Sequence, residues 1–332
     1  MDYQNLMDFS VHPSDLNRFE NGWRGLEEYV TEKKIDGVEL LLGYDSPSNE
    51  IPKSIVKSIH LPFWVTWLDV WRKGEDAAKY YFPDTPPENM QFCCGGKNAA
   101  EMIASQKKLW QYAAHFNPAH AVLHAAHVEL EHAFTRDFTY KSTEVLAGFS
   151  EMLNRTAQEF GDGEPPVTLA IENLWWPGLD FLFPAEADDF ASRLDFSNWN
   201  LLLDTGHLMN TNIALRCEDE AIDFVLDRIS RLSKDIQAKI KSLHLNLSLS
   251  GEYQTKQVMT GLPMGWPDLS HSYKYSTARK HVLQIDQHLP FKSKRVKEII
   301  QEVAPENVIH EFITKDIEEF SAKLEIQMNA LR

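Results

Sequence analysis

This sequence has no excess of positive charge. Among its 332 residues, 33 are Lys or Arg and 49 are Asp or Glu, giving a formal net charge of −16. A broadly basic protein that tracks a nucleic-acid backbone is therefore excluded as a global description. Cysteine is also scarce: Cys93 and Cys94 are adjacent and Cys217 stands far away, which makes neither a disulfide framework nor a Cys-x-x-Cys metal knuckle. No uncharged apolar run approaches the roughly 18 residues of a membrane span. The start, MDYQNLMDFS, has no basic stretch leading into an apolar one, so a soluble, cytoplasmic chain with no membrane partner is expected. No GxGxxG follows the first apolar run, and there is no Walker A loop, GxSxG elbow or HExxH helix. Nucleotide-binding, serine-hydrolase and zincin chemistry thereby lose support. The apolar fraction of 43% and charged fraction of 25% are those of a folded globular chain rather than a disordered one.

Short apolar, β-branched runs are present in number, each ending in a polar residue and most separated by helix-length amphipathic sequence. Eight runs read as strands: Leu6–Val11, Gly37–Leu42, Ile55–Leu61, Ala121–His124, Val167–Glu172, Leu201–Asp204, Ile240–Asn246 and Val308–Phe312. Helices are predicted over Ser14–Lys34, Asn98–Phe116, Ser142–Phe160, Pro184–Leu194, Glu218–Lys239, Ser293–Val303 and Thr314–Leu331. In the last, Ile317, Phe320, Leu324 and Met328 recur at helical spacing and form one apolar stripe. Strands alternating with helices point to the α/β class and to one (β/α)8 barrel domain over residues 1–332, with its site where the strands end. A doubly wound open sheet is the competing topology. Three connections are too long for plain turns: Pro62–Lys97, with Trp64, Trp67 and Trp71; Asn173–Pro184, with WWPGLDFLF; and Leu247 to about Phe291. Their aromatic residues either stack on a substrate, with Trp64 and Trp175 the candidates, or anchor the loops to the barrel.

The ends of the apolar runs share one chemistry. They read SIH at His60, VLH at His124, AIEN at Glu172, DTGH at Asp204 and His207, SLHLN at His244, and HEF at Glu311, while IDQHLPF adds Asp286 and His288. Imidazole nitrogen and carboxylate oxygen are ligands for Zn²⁺, Mn²⁺ or related ions, and a barrel would gather these distant positions into one ring. One such residue is ordinarily a hydrogen-bonded side chain; six successive strand ends of this kind read as a metal site.

With these motifs the sequence resembles the xylose isomerase-like barrel superfamily, which includes apurinic endonuclease IV and the sugar or sugar-phosphate isomerases and epimerases. The resemblance runs from DGVELLL to HEF; DTGH, HLN and D-x-H in that order carry its specificity. It implies that Glu172, Asp204, His244 and Glu311 hold one divalent ion, with Glu172 and Glu311 the catalytic acid/base pair of an isomerase. It also implies that His60 and His124, bridged by Glu172, and then His207, Asp286 and His288, hold further ions, up to three zincs as in the endonuclease branch. Manganese or magnesium is the alternative to zinc. The chain departs from the family in lacking the Asp that endonuclease IV has soon after HLN, in the late D-x-H, and in having Phe291, Lys292 and Ser293 where many isomerases have a Gly-rich turn.

A mononuclear isomerase does not need His60 and His124 as ligands, whereas a metal cluster generates a metal hydroxide and clamps a phosphoester. Metal-dependent hydrolysis of a small sugar phosphate or phosphoester is therefore the leading expectation. An isomerase or epimerase comes second, followed by an endonuclease IV-like repair nuclease and a non-catalytic metal-binding barrel. Between His271 and Lys297 lie seven basic residues and only one acid, Asp286. This stretch is either a solvated surface or a local attraction for an anion, with Lys292 and Arg295 as substrate contacts. A compact anionic small molecule fits that distribution better than extended nucleic acid does. The sequence says almost nothing about oligomeric state.

Overall fold

The computed structural model describes residues 3–43 and 50–332. Eight parallel strands close into a barrel in sequence order: β1 (Gln4–Ser10), β2 (Gly37–Leu41), β3 (Val56–His60), β4 (Ala121–His124), β5 (Leu169–Glu172), β6 (Trp199–Asp204), β7 (Ile240–His244) and β8 (Asn307–His310). All eight apolar runs form strands. Several stop one or two residues short of the run, because Val11, Leu42, Leu61, Asn246 and Phe312 have already turned into the connections.

Two predicted helices are interrupted. Ser14–Lys34 resolves into Pro13–Leu16 and Trp23–Lys33, broken ahead of Gly22 at φ 56°. Glu218–Lys239 is cut after Arg231, where Leu232 is extended and the Ser233 hydroxyl accepts from the Ile236 N–H to start a new helix, Lys234–Lys239. The two longest connections are themselves helical. Pro62–Lys97 carries Leu68–Lys73, Glu75–Tyr81 and Met90–Cys94, while the β7 to β8 connection carries Gly251–Thr260 and His271–Ile285. The latter pair packs with Leu130–Thr135 into a cap, cored by Phe134, Trp266 and Ala278. An isolated antiparallel bridge closes the base of that connection: Leu247 N–H donates to Leu289 O at 2.7 Å, and Leu289 N–H donates back at 3.0 Å.

Strand register positions the site. Side chains alternate along a strand, and register-paired residues face the same way. Leu6 pairs with Ile309 and Val122 with Ala170, while Leu202 lies two residues beyond Asn200, the partner of Ala170, a stagger of the kind that closing a barrel requires. These five buried side chains form an apolar cluster of their own. They plug the barrel. Two residues further along those strands come Asp8, His124, Glu172, Asp204 and Glu311. The ladder Asp8 to Glu39, Glu39 to Ser58, and Asp204 to His244 completes the ring with Glu39, His60 and His244. Every strand thus contributes one ionisable side chain directly above the plug.

The other face of β8 is tied to the outer layer. The buried ring of His310 accepts from the Gln327 amide at 2.9 Å on Nδ1 and donates to Asn5 Oδ1 at 3.1 Å from Nε2. Burial pushes its pKa down to about 4. Between the ordinary value of about 6.5 and about 4 the unfolded chain binds a proton that the native chain refuses, so stability falls as pH falls through this window. Across the whole window the loss reaches about 3 kcal/mol. Denaturant midpoints at pH 7 and pH 4.5 should show a smaller drop for His310→Gln than for the native chain.

Candidate metal centre

The ring and two loop segments bring nine expected ligands together. Four triads have ligand atoms within 4.8 Å of one another: His60, His124 and Glu172; Asp204, His244 and Glu311; His207, Asp286 and His288; and Glu172, Asp204 and His207. Glu172 is fully buried and faces two ways. Its Oε2 lies 3.4 Å from His60 Nε2 and 3.1 Å from His124 Nε2, while its Oε1 lies 3.1 Å from His207 Nδ1 and 3.2 Å from His244 Nδ1.

Hydrogen bonds on the far side of the rings fix which nitrogen is offered. His60 Nδ1 donates to Leu61 O at 2.9 Å, leaving Nε2 for the centre. His207 Nδ1 donates to Asn173 O at 2.9 Å, so Nε2, 3.3 Å from Asp286 Oδ2, is its ligand atom and the Asp286–His288 triad is its place. His244 Nε2 donates to Glu39 Oε1 at 2.6 Å, and its Nδ1 faces Glu172, Asp204 and Glu311. His288 adopts φ 46°, a strained conformation for a residue with a Cβ, between Leu289 in the bridge and Asp286, whose Oδ2 lies 2.7 Å from its Nε2.

Buried carboxylates and imidazoles set each other's ionisation. Burial opposes the charge on His244, but Glu311, Glu172 and Glu39 outweigh it and hold the ring well above its usual range. Burial likewise opposes the charge on Glu172, which the His244 and His124 rings nonetheless hold well below the carboxylate range. His288 rises to about 10, against burial, because of Asp286 and Glu311. Asp8 rises to about 7 through burial and the nearby charge of Glu311. In this charge balance protons occupy positions that a cation would take, since metal binding releases protons from its ligands. Glu172 Oε2, Glu311 Oε2 and His288 Nδ1 are buried and have no hydrogen-bond partner among the described residues. The donors are nitrogen and oxygen without thiolate, suited to zinc or manganese. The residues fit divalent cations.

Glu39 and Asp8 were not among the expected ligands. Both sit inside their strands rather than at the ends; the signal for each is a single acid in an apolar run, LMDFS and GVELL, at inward parity. Glu39 also accepts from Ser58 Oγ at 2.8 Å and orients His244 from behind, a carboxylate–histidine pairing that tunes a ligand without touching the ion. The motifs DTGH and HLN form one structure. Asp204 caps its own helix, accepting from the His207 N–H at 2.6 Å, and Asn246 Nδ2 donates to Asp204 Oδ2 at 2.9 Å. A Cβ on Gly206 would collide with Asn246 Oδ1. A polar chain runs from Arg136 through Gln254 to Asn210, whose amide reaches Asp286 Oδ1 at 3.4 Å, joining the cap to the ligand set.

Above the ring opens a cavity of about 850 Å³, lined by Trp175, Trp176, His12, Arg18 and Arg279. The other expected substrate contacts lie elsewhere. The Trp64 indole donates to Gln91 O and packs under Gly95. The Lys292 backbone N–H donates to Glu218, and Arg295 is held by Asp223 at 2.6 Å and by Glu298. Of the basic residues between His271 and Lys297, only Arg279 lines the cavity. His127 accepts from the backbone N–H groups of Trp67 and Leu68, which makes it a loop anchor.

The model for the xylose isomerase-like TIM barrel family matches residues 86–308. The chain belongs to that family. No curated protein sequence matches it. Among solved structures, its fold is similar to endonuclease IV from Thermus thermophilus, at 14% identity and a TM-score of 0.54 over 99% of this chain and 98% of that one. It is also similar to a D-psicose 3-epimerase crystallised in the presence of D-fructose, at 13% identity and a TM-score of 0.52 over 99% and 96%. At such identities the likeness is one of fold. Within this family member, the Gly206 contact gives a direct test. Gly206→Ala should lower stability by about 1–3 kcal/mol, the usual cost of overpacking, in a denaturant titration. Adding Asn246→Ala should recover part of that loss by removing the collision.

Proposed function

We propose that this barrel is a divalent-metal-dependent enzyme that hydrolyses a small phosphoester at a multinuclear, zinc-type centre. The observation that carries the reading is Glu172, whose Oε2 faces the Nε2 atoms of His60 and His124 while its Oε1 faces Nδ1 of His244, 3.2 Å away. A carboxylate disposed in this way would be able to serve two cations at once. His60 and His124 would hold one ion with Glu172; Asp204, His244 and Glu311 a second; His207, Asp286 and His288 a third. Bound there, the ions would supply Lewis acidity, lowering the pKa of water and offsetting charge on phosphoryl oxygens.

The chain itself supplies position and proton traffic. Glu311 is the most exposed member of these triads, its side chain 20% accessible, and it lines the cavity, so its carboxylate can exchange a proton with a bound substrate or water. Arg279 lines the cavity and would attract an anion, while Arg18 lines it with its charge already engaged by Asp15 at 2.9 Å. The cap and the net charge of −16 both count against extended nucleic acid.

A second reading, a one-metal isomerase or epimerase, is favoured by one observation. Glu172 Oε1 and Glu311 Oε2 approach the same His244 Nδ1, at 3.2 and 3.1 Å, as an acid/base pair around one ion would. Elemental analysis of protein purified without added metal separates the two: two or three zinc equivalents are expected, and a single ion would overturn hydrolysis. The His60→Ala, His124→Ala double variant should lose one equivalent. It should also lose more than about 100-fold of its activity on bis(p-nitrophenyl) phosphate, because even residues behind the ligands cost about 10–100-fold.

A further inference from the structure

The cavity above the ring mixes polar groups with many large apolar side chains. Along β1 and the loop after β8, Ser10, His12, Arg18 and Thr314 stand among Phe9, Phe19 and Ile313. Across the barrel, the loops after β3, β4 and β5 and the cap helix His271–Ile285 present Phe63, Val128, Trp176, Tyr275, Val282 and Leu283. Trp176 and Val128 belong to a cluster separate from the main core, built with Trp175, Leu174 and Ile285 where the loops meet the cap. Phe63 stacks on the His124 ring at 4.2 Å and remains 46% exposed. Tyr275 and Leu283 are likewise exposed at the rim, at 52% and 36%. Large side chains left open beside a polar centre mark a binding surface for apolar matter. At about 850 Å³ the cavity is near the upper end of the roughly 300–1,000 Å³ that accommodates drug-sized ligands. An unsubstituted sugar phosphate would leave the apolar side wet.

Resting on the phosphoester reading, we propose that the substrate is amphipathic. Its oxyanion-bearing head sits at the ring, and an aromatic or branched aliphatic group of about six carbons or more lies against Trp176 and Val282. This arrangement separates the two demands on the site, charge at the strand ends and shape selection at the cap.

Isothermal titration of the zinc-loaded protein with phenylphosphonate and methylphosphonate tests this without turnover. Phenylphosphonate should bind about tenfold tighter or more, since even one extra methylene in an apolar pocket is worth about 10–200-fold. Trp176→Ala, and separately the half-buried Val282→Asn, should bring the two affinities within about threefold of each other. Equal affinities in the native protein would overturn the amphipathic substrate while leaving an oxyanion-binding centre in place. If neither phosphonate binds the loaded protein, the phosphoester reading falls and this inference falls with it.

Discussion

Glu172 is the constraint on which the site depends. A carboxylate with no access to water must find compensation on both oxygens, and here each oxygen meets imidazole nitrogen from a different part of the barrel. Removing a single ring would leave charge uncompensated in the interior, a far larger cost than that of an exposed ion pair. His60 and His124 are thereby tied to His207 and His244 through one side chain. The strands gain their relative positions from the ladder and the plug beneath it, and the ring inherits that precision. A site built on strand ends is held more rigidly than one built on loops.

Rigidity is continued outward by groups that hold the expected ligands without being among them. Glu39, Asn173 and the Leu61 carbonyl each hold the distal nitrogen of a ring or the backbone beside it. Asn246 fixes Asp204, and Gly206 is small because Asn246 passes over it. Two motifs separated by about forty residues of sequence are therefore one packing unit. Their combination is more specific than either alone because one supplies the space that the other occupies.

The barrel was legible because a buried parallel strand has a strong signature, an apolar run with a polar residue at its end. His60, His124, Glu172, Asp204, His244 and Glu311 all fall at or beside such ends. Glu39 and Asp8 were not legible in the same way, because an acid within an apolar run reads as solvent-facing until parity is known from the neighbouring strand. Arg295 and Lys292 misled for a related reason. A count of basic residues cannot register that Asp223 and Glu298 already engage the Arg295 guanidinium, or that Lys292 falls outside the cavity lining. The helices of the β7 to β8 connection were missed because their apolar residues pack in the cap rather than against the barrel, and those of Pro62–Lys97 because they are short, although Leu68, Trp71 and Met90 join the main core.

The bridge between Leu247 and Leu289 has an evolutionary reading. It gathers the two ends of the cap segment at the barrel rim, directly beside His288, so the intervening chain is a closed excursion. The entropy of closing such an excursion grows only slowly with its length. Insertions, deletions and new sequences between Thr260 and His271, clear of Gln254, Asp286 and His288, can therefore accumulate without displacing the ligands beside the bridge. The ring on the strand ends and the outer part of the cap can thus change at different rates.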